Sequence, residues 1–255
     1  MTKLPISLVV ITFNEESNIE RCIRSVPFAD DVVVVDSFST DRTVELAQKC
    51  GARVFQEKWR GYGPQKAFAT EQAQHSWVLS LDADEALSPE SVSEISSMFA
   101  DLNPEAGYVL PRKSYHLGRW IGYGGWYPDY QLRLFNKAHS QWNSADLHEK
   151  VEVKVKLKLR QPILHWVFDS LSDQVVTNDR YSTLGAEQLY AQGKKFSYLK
   201  LIFKPWSKFV ETYFFKRGFM DGLPGFIISV GAAYSVFLKF AKLWEMQRVR
   251  KKGPS

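Results

Sequence analysis

The sequence predicts an α/β fold in which an open, largely parallel sheet is followed by a basic helical appendage. Three patterns carry this prediction. Short apolar runs rich in β-branched residues alternate with segments of helical spacing, polar residues follow these runs, and the last quarter of the chain combines aromatic residues with Lys and Arg. With 255 residues, 45% of them hydrophobic, the chain is long enough to bury a sizeable core.

Four strands and three helices are predicted in the first third of the chain. Residues 6–12 form a nearly continuous apolar run, which is typical of a parallel strand buried on both faces. Apolar residues at helical spacing predict a helix over 18–26. The order continues with a strand at 31–36, a helix capped at Thr40 or Asp41 and closed by Gly51, a strand at 53–56, a loop and helix at 61–74, and a strand at 77–81. This βαβαβαβ order predicts parallel strands joined by crossover helices.

The rest of the chain is predicted to hold further strands, a long loop and helices. A helix over 89–102 precedes strands at 107–111 and 131–136. The Gly- and aromatic-rich segment 116–129 between these strands is the kind of loop that often binds ligands or closes over them. Residues 151–159 alternate strictly between apolar and charged side chains and predict one half-exposed strand. Helical spacing returns at 173–192, 198–219 and 226–250.

The net charge of +5 conceals an uneven distribution. Residues 194–255 contain 13 Lys or Arg against three Asp or Glu, whereas the preceding residues are net acidic. Aromatic and aliphatic residues lie between these cations, which favours an anionic membrane surface over nucleic acid as the partner. The two cysteines lack metal-ligand spacing and are predicted to be reduced packing residues of a cytosolic protein. No signal-peptide pattern opens the sequence.

Polar residues follow three of the predicted strands directly. They are Thr12-Phe13-Asn14, Asp36-Ser37 and Asp82-Ala83-Asp84. Open α/β sheets bind ligands at the carboxyl ends of their strands, so these residues mark the predicted site. The carboxylates of Asp82 and Asp84 suit a hard cation. A solvated loop is the alternative for an isolated Asp-x-Asp, and the two other polar strand ends argue against it.

Several motifs together resemble a known enzyme family. The segments TFNEE (residues 12–16), VVVVDSFSTDRT (32–43) and LSLDADE (79–85) are similar to the opening motifs of the large inverting glycosyltransferase family 2. The segments QLRLFNK (131–137) and DLHEK (146–150), with the aromatic C-terminal region, resemble the small bacterial lipopolysaccharide-core β-1,4-glucosyltransferases, which add glucose to inner-core heptose. The resemblance extends over nearly the whole chain.

The resemblance implies a fold, a reaction and a location. Residues 1–193 would form a GT-A domain, a Rossmann-like nucleotide-sugar-binding fold with a mixed sheet. Residues 194–255 would form a membrane-associating, amphipathic helical region. UDP-glucose would be the donor, and the acceptor would be a lipid-anchored saccharide such as the lipopolysaccharide inner core. The enzyme would work as a peripheral protein on the cytoplasmic face of the bacterial inner membrane.

The resemblance also implies which residues bind the nucleotide sugar. Thr12 and Phe13 would border the base, with Asn14 beside them, and Asp36 would accept a hydrogen bond from the uracil or ribose. Lys66 lies in the segment that commonly closes over the pyrimidine and would also meet the diphosphate. The full predicted set is Thr12, Phe13, Asn14, Asp36, Lys66, Asp82 and Arg133.

Arg133 is open to two interpretations. Its planar guanidinium would suit a phosphate group. An outward-facing Arg on an alternating strand also needs no function to explain it.

A divalent metal, Mg²⁺ or Mn²⁺, is implied as a cofactor. The resemblance makes Asp84 the direct ligand and puts Asp82 near the metal and the ribose. His165 is a candidate third ligand, with core packing as the alternative. Such an ion would act as a Lewis acid on the diphosphate oxygens and neutralise the departing UDP.

An inverting transfer also needs a base, because the acceptor hydroxyl must lose its proton as it attacks. Many family members use an Asp of a Glu-Asp pair, which this sequence lacks at the expected place. The motif Asp146-Leu147-His148-Glu149 falls there instead. Glu149 is the predicted base, with Asp146 as the alternative. His148 would contact the diphosphate or orient the base, or else be a surface histidine.

The C-terminal region is predicted to lie on a membrane without crossing it. The uncharged run 223–238 is shorter than the roughly 20 residues that span a bilayer. Lys and Arg flank the run on both sides, which suits a helix pair in the membrane interface. The alternative is an amphipathic helix that docks on the protein's own domain or on a partner.

Two other functions fit the same pattern. A polyprenyl-phosphate sugar synthase would transfer sugar to a phosphate and would need no strong base. A non-catalytic, membrane-bound scaffold would bind UDP without turning over a sugar. Loss of activity on replacement of Glu149 would favour the predicted transferase over the synthase. Sugar turnover would favour it over the scaffold.

Overall fold

The computed structural model describes residues 2–142, 151–168 and 170–249. Within it the chain divides into two compact units. The first unit comprises Met1–Lys113 and Asp129–Trp166, and the second comprises Ser114–Pro128 and Val167–Ser255. The domain boundary after residue 193, which rests on composition and motifs, stays a prediction.

Strands and helices alternate through most of the described chain. The strands are β1 (Leu4–Thr12), β2 (Ala29–Asp36), β3 (Arg53–Gln56), β4 (Trp77–Asp82), β5 (Glu85–Leu87), β6 (Ala106–His116), β7 (Arg119–Trp120), β8 (Asp129–Asn136), β9 (Gln141–Trp142), β10 (Val151–Glu152), β11 (Val155–Lys158) and β12 (Ile163–Trp166). The helices are α1 (Ile19–Arg24), α2 (Thr43–Lys49), α3 (Tyr62–Glu71), α4 (Pro89–Met98), α5 (Leu171–Ala191), α6 (Tyr198–Val210) and α7 (Gly222–Val249). β7 and α5 to α7 belong to the second unit, and β6 passes from the first unit to the second at Ser114.

The first unit is built on a mixed sheet. In hydrogen-bonding order its strands are β3-β2-β1-β4-β8-β6-β12-β5, with β11 paired along β6. β3, β2, β1 and β4 run parallel, and β8 runs antiparallel to both β4 and β6. The predicted α/β fold is confirmed.

Side chains of β1 fill both faces of the sheet. Ile6, Leu8 and Val10 are buried in one cluster with residues of α1 and α4. Val9 and Ile11 are buried in a second cluster with residues of α3. Because neighbouring side chains of a strand point to opposite faces, a strand that is covered on both sides is apolar at every position. This burial explains the continuous apolar run and fixes the end of β1 at the site.

Local signals set the ends of two helices beside the sheet. Ser88 caps α4, because its hydroxyl accepts a hydrogen bond from the Ser91 amide at 3.1 Å and Pro89 opens the first turn. Gly51 was predicted to close α2, and it follows Cys50 with a φ of 83°. Glycine adopts this left-handed conformation without the steric cost that a side chain brings.

Residues 151–159 do not form the single half-exposed strand that their alternation predicted. β10 pairs with β9 in a separate two-stranded sheet, the chain bends near Lys154, and β11 then joins β6. Val151 and Val153 pack in the second cluster, while Leu159 is buried in the first. The bend carries the chain from one face of the sheet to the other. A straight strand with all its apolar side chains on one face cannot do this.

The second unit is dominated by three helices. α7 packs against both α5 and α6. The contact between α5 and α7 centres on the buried residues Ala186, Phe240 and Leu243. The predicted helical C-terminal region is confirmed.

The Gly- and aromatic-rich loop is held by the segment that joins α6 to α7. The Asp221 carboxylate is 1% exposed and accepts hydrogen bonds from the backbone amides of Gly122 and Tyr123 at 3.1 and 2.8 Å. Arg119 donates to the Asp221 carbonyl oxygen at 3.0 Å. The Gly124 amide also donates to the Lys216 carbonyl oxygen at 2.9 Å. One buried carboxylate thus helps to fix the middle of this loop.

One helical segment of the described chain, Gly218–Arg248, is long and apolar enough to cross a membrane, judged by length and composition alone. The uncharged run 223–238 lies inside this longer helix. Helix length therefore does not by itself separate a crossing helix from one that lies on a surface.

Candidate active site

The carboxyl ends of β1, β2 and β4 lie side by side. In the strand register Thr12 pairs with Asp36, and Ile11 pairs with Asp82. The polar residues that follow these strands in the sequence are therefore neighbours in space, at the sheet edge where α/β folds bind ligands.

Asn14 and Asp36 shape the loops after β1 and β2. Asn14 adopts a φ of 56°, which Asn tolerates better than most residues, and its side-chain oxygen accepts from the Thr40 amide at 2.8 Å. Its own amide donates to Ser39 Oγ at 2.8 Å. Asp36 is fully buried and accepts from the Ser39 amide at 2.9 Å. The two loops are thus cross-linked, and the contact of Asn14 and Asp36 with a nucleotide stays a prediction.

Thr12 and Phe13 differ sharply in their surroundings. The Thr12 hydroxyl is buried and has no hydrogen-bond partner among the described residues, whereas Phe13 is 57% exposed. A buried hydroxyl without a partner costs free energy. A ligand with a polar edge and a flat face would satisfy both side chains.

Beside these loops, basic and acidic side chains form a series of ion pairs. Lys66 Nζ lies 2.8 Å from Asp82 Oδ1, and Arg133 Nη2 lies 2.5 Å from Asp82 Oδ2. The same nitrogen of Arg133 is 2.6 Å from Glu85 Oε1. Three predicted site residues, which are far apart in sequence, are thereby brought together.

Arg112 extends this arrangement on the far side of Glu85. Its guanidinium lies 3.3 Å from Glu85 Oε1 and 2.7 Å from Asp129 Oδ2. We refer to the whole set as the ion-pair chain. Its members, in order, are Lys66, Asp82, Arg133, Glu85, Arg112 and Asp129.

Within the ion-pair chain, the charges of Asp82 and Arg133 stabilise each other. Burial opposes ionisation of Asp82, but Arg133 and Lys66 outweigh it and hold the pKa of Asp82 well below its usual range. Burial also opposes the charge on Arg133, yet Asp82 and Glu85 raise the pKa of this guanidinium above its usual value. Buried charges persist in proteins when they are paired in this way.

Glu85 and Arg112 were missed by the sequence reasoning. Glu85 is fully buried, because the short strand β5 pairs with β12 and encloses it. The signal was present in Leu-Asp-Ala-Asp-Glu, where a third acidic residue follows the Asp-x-Asp directly. A buried acid at that point needs a buried cation, and the sequence does not show which one.

Asp84 and His165 form a second pair. Asp84 Oδ2 lies 3.2 Å from His165 Nε2. β12 brings His165 to this point because it runs antiparallel to β5, with His165 opposite Glu85. A carboxylate oxygen suits Mg²⁺ or Mn²⁺, and an imidazole nitrogen favours the transition metal of the two.

The two acids of the Asp-x-Asp motif thus have different partners. Each carboxylate oxygen of Asp82 forms an ion pair with a cationic side chain, whereas Asp84 contacts a histidine. Across the described ranges, no group of three or more His, Cys, Asp and Glu residues converges as a metal site. Metal binding by Asp84, Asp82 and His165 stays a prediction.

Three predicted catalytic residues lie outside the described residues. They are Glu149, Asp146 and His148. Their assignment as base, alternative base and orienting group therefore stays a prediction.

Relatives of this chain are named as glycosyltransferases. An uncharacterised glycosyltransferase of Rickettsia typhi is 35% identical, over 94% of this chain and 87% of its own length. LpsC, a lipopolysaccharide core biosynthesis glycosyltransferase of Rhizobium meliloti, is 33% identical, over 97% of this chain and 95% of its own length.

Similarity to solved structures is more distant. The glucosyl-3-phosphoglycerate synthase of Mycobacterium tuberculosis, crystallised with Mn²⁺, UDP and glucosyl-3-phosphoglycerate, matches 43% of this chain and 43% of its own at 26% identity and a TM-score of 0.35. Residues 1–349 of Staphylococcus aureus TarS, in complex with UDP-GlcNAc, match 99% of this chain and 92% of their own at 15% identity and a TM-score of 0.49. Both TM-scores lie below 0.5, which is too low for a comparison of sites.

The family model described as "Glycosyl transferase family 2" matches residues 7–148, more than half of the chain. This span contains the three polar strand ends and the whole ion-pair chain. The similarity to LpsC over nearly the whole length agrees with it. The predicted GT-A fold is thereby confirmed, and the chain belongs to glycosyl transferase family 2.

Proposed function

We propose that this protein is an inverting glycosyltransferase that moves glucose from UDP-glucose to a lipid-anchored saccharide, such as the inner core of lipopolysaccharide. The observation that carries the proposal is the pair of Asp84 and His165 beside the buried contacts of Asp82, Lys66 and Arg133, at the carboxyl end of β4. Family membership supports the transfer, and the similarity to LpsC supports a lipopolysaccharide acceptor.

The donor would bind across the ends of β1 and β4. Thr12 offers a buried hydroxyl and Phe13 an exposed ring, which suit the polar edge and the flat face of a base. Lys66 and Arg133 supply positive charge for the diphosphate. Arg133 Nε is buried without a hydrogen-bond partner in the described part of the chain. This N–H group could therefore donate a hydrogen bond to the diphosphate.

Asp84 and His165 would hold the divalent ion, because their oxygen and nitrogen atoms already converge to 3.2 Å. The ion supplies Lewis acidity for the departing UDP. Asp82 has a different role in this proposal, since its contacts hold Lys66 and Arg133 in position.

Glu149 would take the proton from the acceptor hydroxyl, with Asp146 as the alternative and His148 as an orienting group. The basic, aromatic region 194–255 supports a peripheral location on the cytoplasmic face of the inner membrane. A lipid-anchored acceptor would then meet the enzyme at the membrane surface.

Transfer from a panel of nucleotide sugars to membrane extract, followed by mass spectrometry of the glycolipids, tests the proposal. We expect one added hexose with UDP-glucose. Asp84→Asn and a chelator should each abolish most of the product, because each removes stabilisation of the leaving group. Asp101→Asn changes charge equally at an exposed position and is the control. UDP binding without sugar transfer would favour the scaffold, and transfer to polyprenyl phosphate would favour the synthase.

A further inference from the structure

We propose that an apolar stripe on α6, on the turns after it and at the first turn of α7 inserts into one leaflet of an anionic bilayer, while the rest of α7 stays outside the hydrocarbon core. The apolar stripe comprises Leu199, Ile202, Phe203, Trp206, Phe215 and Leu223. The proposal deepens the proposed membrane location, on which it rests, and its test does not depend on sugar transfer.

The stripe is exposed along one face of α6. Leu199, Ile202, Phe203 and Trp206 follow the i, i+3, i+4, i+7 spacing that puts side chains on the same side of a helix, and each is more than 60% exposed. None of the thirteen residues of α6 is buried. Single exposed apolar side chains are ordinary, but a contiguous row of large ones marks a binding surface.

Two more exposed apolar side chains of the stripe follow α6 in the chain. Phe215 ends the π-helical turn Glu211–Phe215 and is 81% exposed. Leu223, at the start of α7, is 69% exposed. Both side chains face solvent although each would gain free energy from burial, at about 25 cal/mol per Å² of apolar surface.

The charges around the stripe select an anionic lipid surface as its occupant. Lys200, Lys204 and Arg217 are exposed. Of the two acids in this stretch, Glu211 is paired with lysines and Asp221 is buried. The exposed rim is therefore basic. A second copy of this chain would oppose this rim with like charge, whereas an anionic leaflet complements it.

Contacts with α5 keep α7 from crossing. Asn178 of α5 donates to the Gly231 carbonyl oxygen at 3.5 Å, and Lys242 Nζ lies 2.6 Å from Asp179 Oδ1. α5 also exposes Arg180. A crossing α7 would break these contacts or carry the polar side chains of α5 into the hydrocarbon, and each charge there costs at least about 2.5 kcal/mol.

Insertion would bring a second element to the membrane surface. Asp221, which fixes the Gly- and aromatic-rich loop through Gly122 and Tyr123, lies between Phe215 and Leu223 in the chain. The loop is therefore tied to the inserted turn and would lie at the level of the lipid headgroups, where a lipid-anchored saccharide begins.

Flotation with vesicles tests the surface. Wild-type protein should float with phosphatidylcholine vesicles that contain phosphatidylglycerol. Phe215→Glu should weaken this partitioning roughly 10- to 100-fold, which corresponds to the free energy of burying one aromatic side chain. Val176→Glu makes the same change at an exposed site on α5, away from the stripe, and should float like the wild type. Lys204→Ser should weaken binding roughly fivefold on anionic vesicles and leave binding to phosphatidylcholine alone unchanged.

The depth of insertion has its own readout. Lipids brominated near the glycerol should quench Trp206 more than lipids brominated near the chain ends, with Trp206→Phe as the reference for the other tryptophans. Alkaline carbonate should release the bound protein. Deep quenching together with resistance to carbonate would mean that α7 crosses and would overturn the proposal.

Two further results would also overturn it. One is equal flotation of Phe215→Glu and wild type. The other is a concentration-dependent dimer in lipid-free sedimentation that Phe215→Glu abolishes, because the stripe would then be a subunit interface. Failure of the proposed function looks different, since flotation would be normal while no nucleotide sugar is turned over.

Discussion

Asp82 sets the charge balance of the candidate site. Its carboxylate contacts Lys66 at one oxygen and Arg133 at the other. These two cations hold the pKa of Asp82 well below its usual range and so favour its ionised form. Both cations are therefore held in position before a substrate arrives, which reduces the ordering that binding has to impose.

Glu85→Gln should destabilise the protein by about 3 kcal/mol, because removal of one partner leaves a buried charge uncompensated. Arg133 and Arg112 both contact this carboxylate. Urea unfolding followed by circular dichroism measures the change. Glu105→Gln is the control, since Glu105 pairs with Lys154 in an exposed bridge and its replacement should change the stability little. Equal effects of the two variants would mean that Glu85 does not hold the guanidinium groups.

Glu149→Gln should lower turnover roughly 10²- to 10⁴-fold, because glutamine keeps the shape of the side chain but cannot take a proton. UDP binding, measured by calorimetry, should persist. Asp146→Asn is the matched comparison. If Asp146→Asn loses activity while Glu149→Gln remains nearly normal, the base is Asp146.

Single residues could be nominated from the sequence where a motif surrounds them. Asp82 stands at the end of an apolar strand run, and Lys66 and Arg133 lie in segments that the family resemblance marks. Their mutual contacts could not be predicted, because they join residues far apart in the chain. Glu85 escaped notice because its strand has three residues, too few to show a period.

At the scale of elements, Asp31 ties three strands together at the amino end of β2. It accepts from Ser7 Oγ of β1 at 2.6 Å and from the Gln74 amide at 2.9 Å. It also lies 2.9 Å from Arg53 Nη2 of β3. Two of the strands that carry the site, β1 and β2, thus share with β3 one buried carboxylate far from their carboxyl ends.

Asp31 should make the stability of the protein depend on acidity. Burial raises its pKa, but hydrogen bonds from Gln74 and Ser7 and the contact with Arg53 outweigh this, so the folded-state pKa lies below its usual value. A lowered folded-state pKa stabilises the protein above the unfolded-state pKa of about 4, and this contribution is lost as the pH falls through the folded-state value.

Urea unfolding at a series of pH values checks this contribution. The difference in stability between wild type and Asp31→Asn should be largest near neutral pH and should shrink as the pH falls below about 4. Asp101→Asn, an exposed change of the same charge, is the control and should stay parallel to the wild type. A constant difference for Asp31→Asn would contradict the linkage.

Elements with a continuous apolar run or a clear helical spacing were predicted from the sequence, whereas the two-residue strands were not. β1, β2 and β4 could be predicted as apolar runs because both their faces are covered. β7, β9 and β10 have two residues each and exist because a partner strand offers hydrogen bonds. The alternation over 151–159 predicted a single strand wrongly, because it continues through a bend at which the chain passes from one face of the sheet to the other.

At the scale of the whole molecule, the chain enters the second unit twice. Residues 114–128 belong to it, residues 129–166 return to the first unit, and the chain enters the second unit again at Val167. No single cut therefore separates the two units. The Gly- and aromatic-rich composition of residues 116–129 predicted a loop, but composition does not show to which unit a loop belongs. The helices of the second unit could be predicted from their spacing.

Asp221→Ala should expose the Gly- and aromatic-rich loop to protease. The amides of Gly122 and Tyr123 would lose their buried acceptor, which costs about 1–3 kcal/mol each and raises the population of locally open states. Trypsin should then cut after Arg119 at least roughly tenfold faster, as followed by mass spectrometry.

Asp179→Ala is the control for this experiment. It removes a carboxylate from the same unit that pairs with Lys242 rather than with the loop. Cleavage after Arg119 should then stay at the wild-type rate. A loop that stays resistant in Asp221→Ala would have to be held by other contacts.

The distance along the chain between the loop and Asp221 also bears on how the protein is made. Tyr123 and Asp221 are 98 positions apart. A ribosome that adds about 5–20 residues per second completes the loop at least several seconds before its acceptor exists. During that interval the loop amides can be satisfied by water alone, while most of the first unit is already available to fold. The final closure of the second unit must therefore follow synthesis of Asp221, so a nascent chain stalled before this residue should keep an open, protease-sensitive loop.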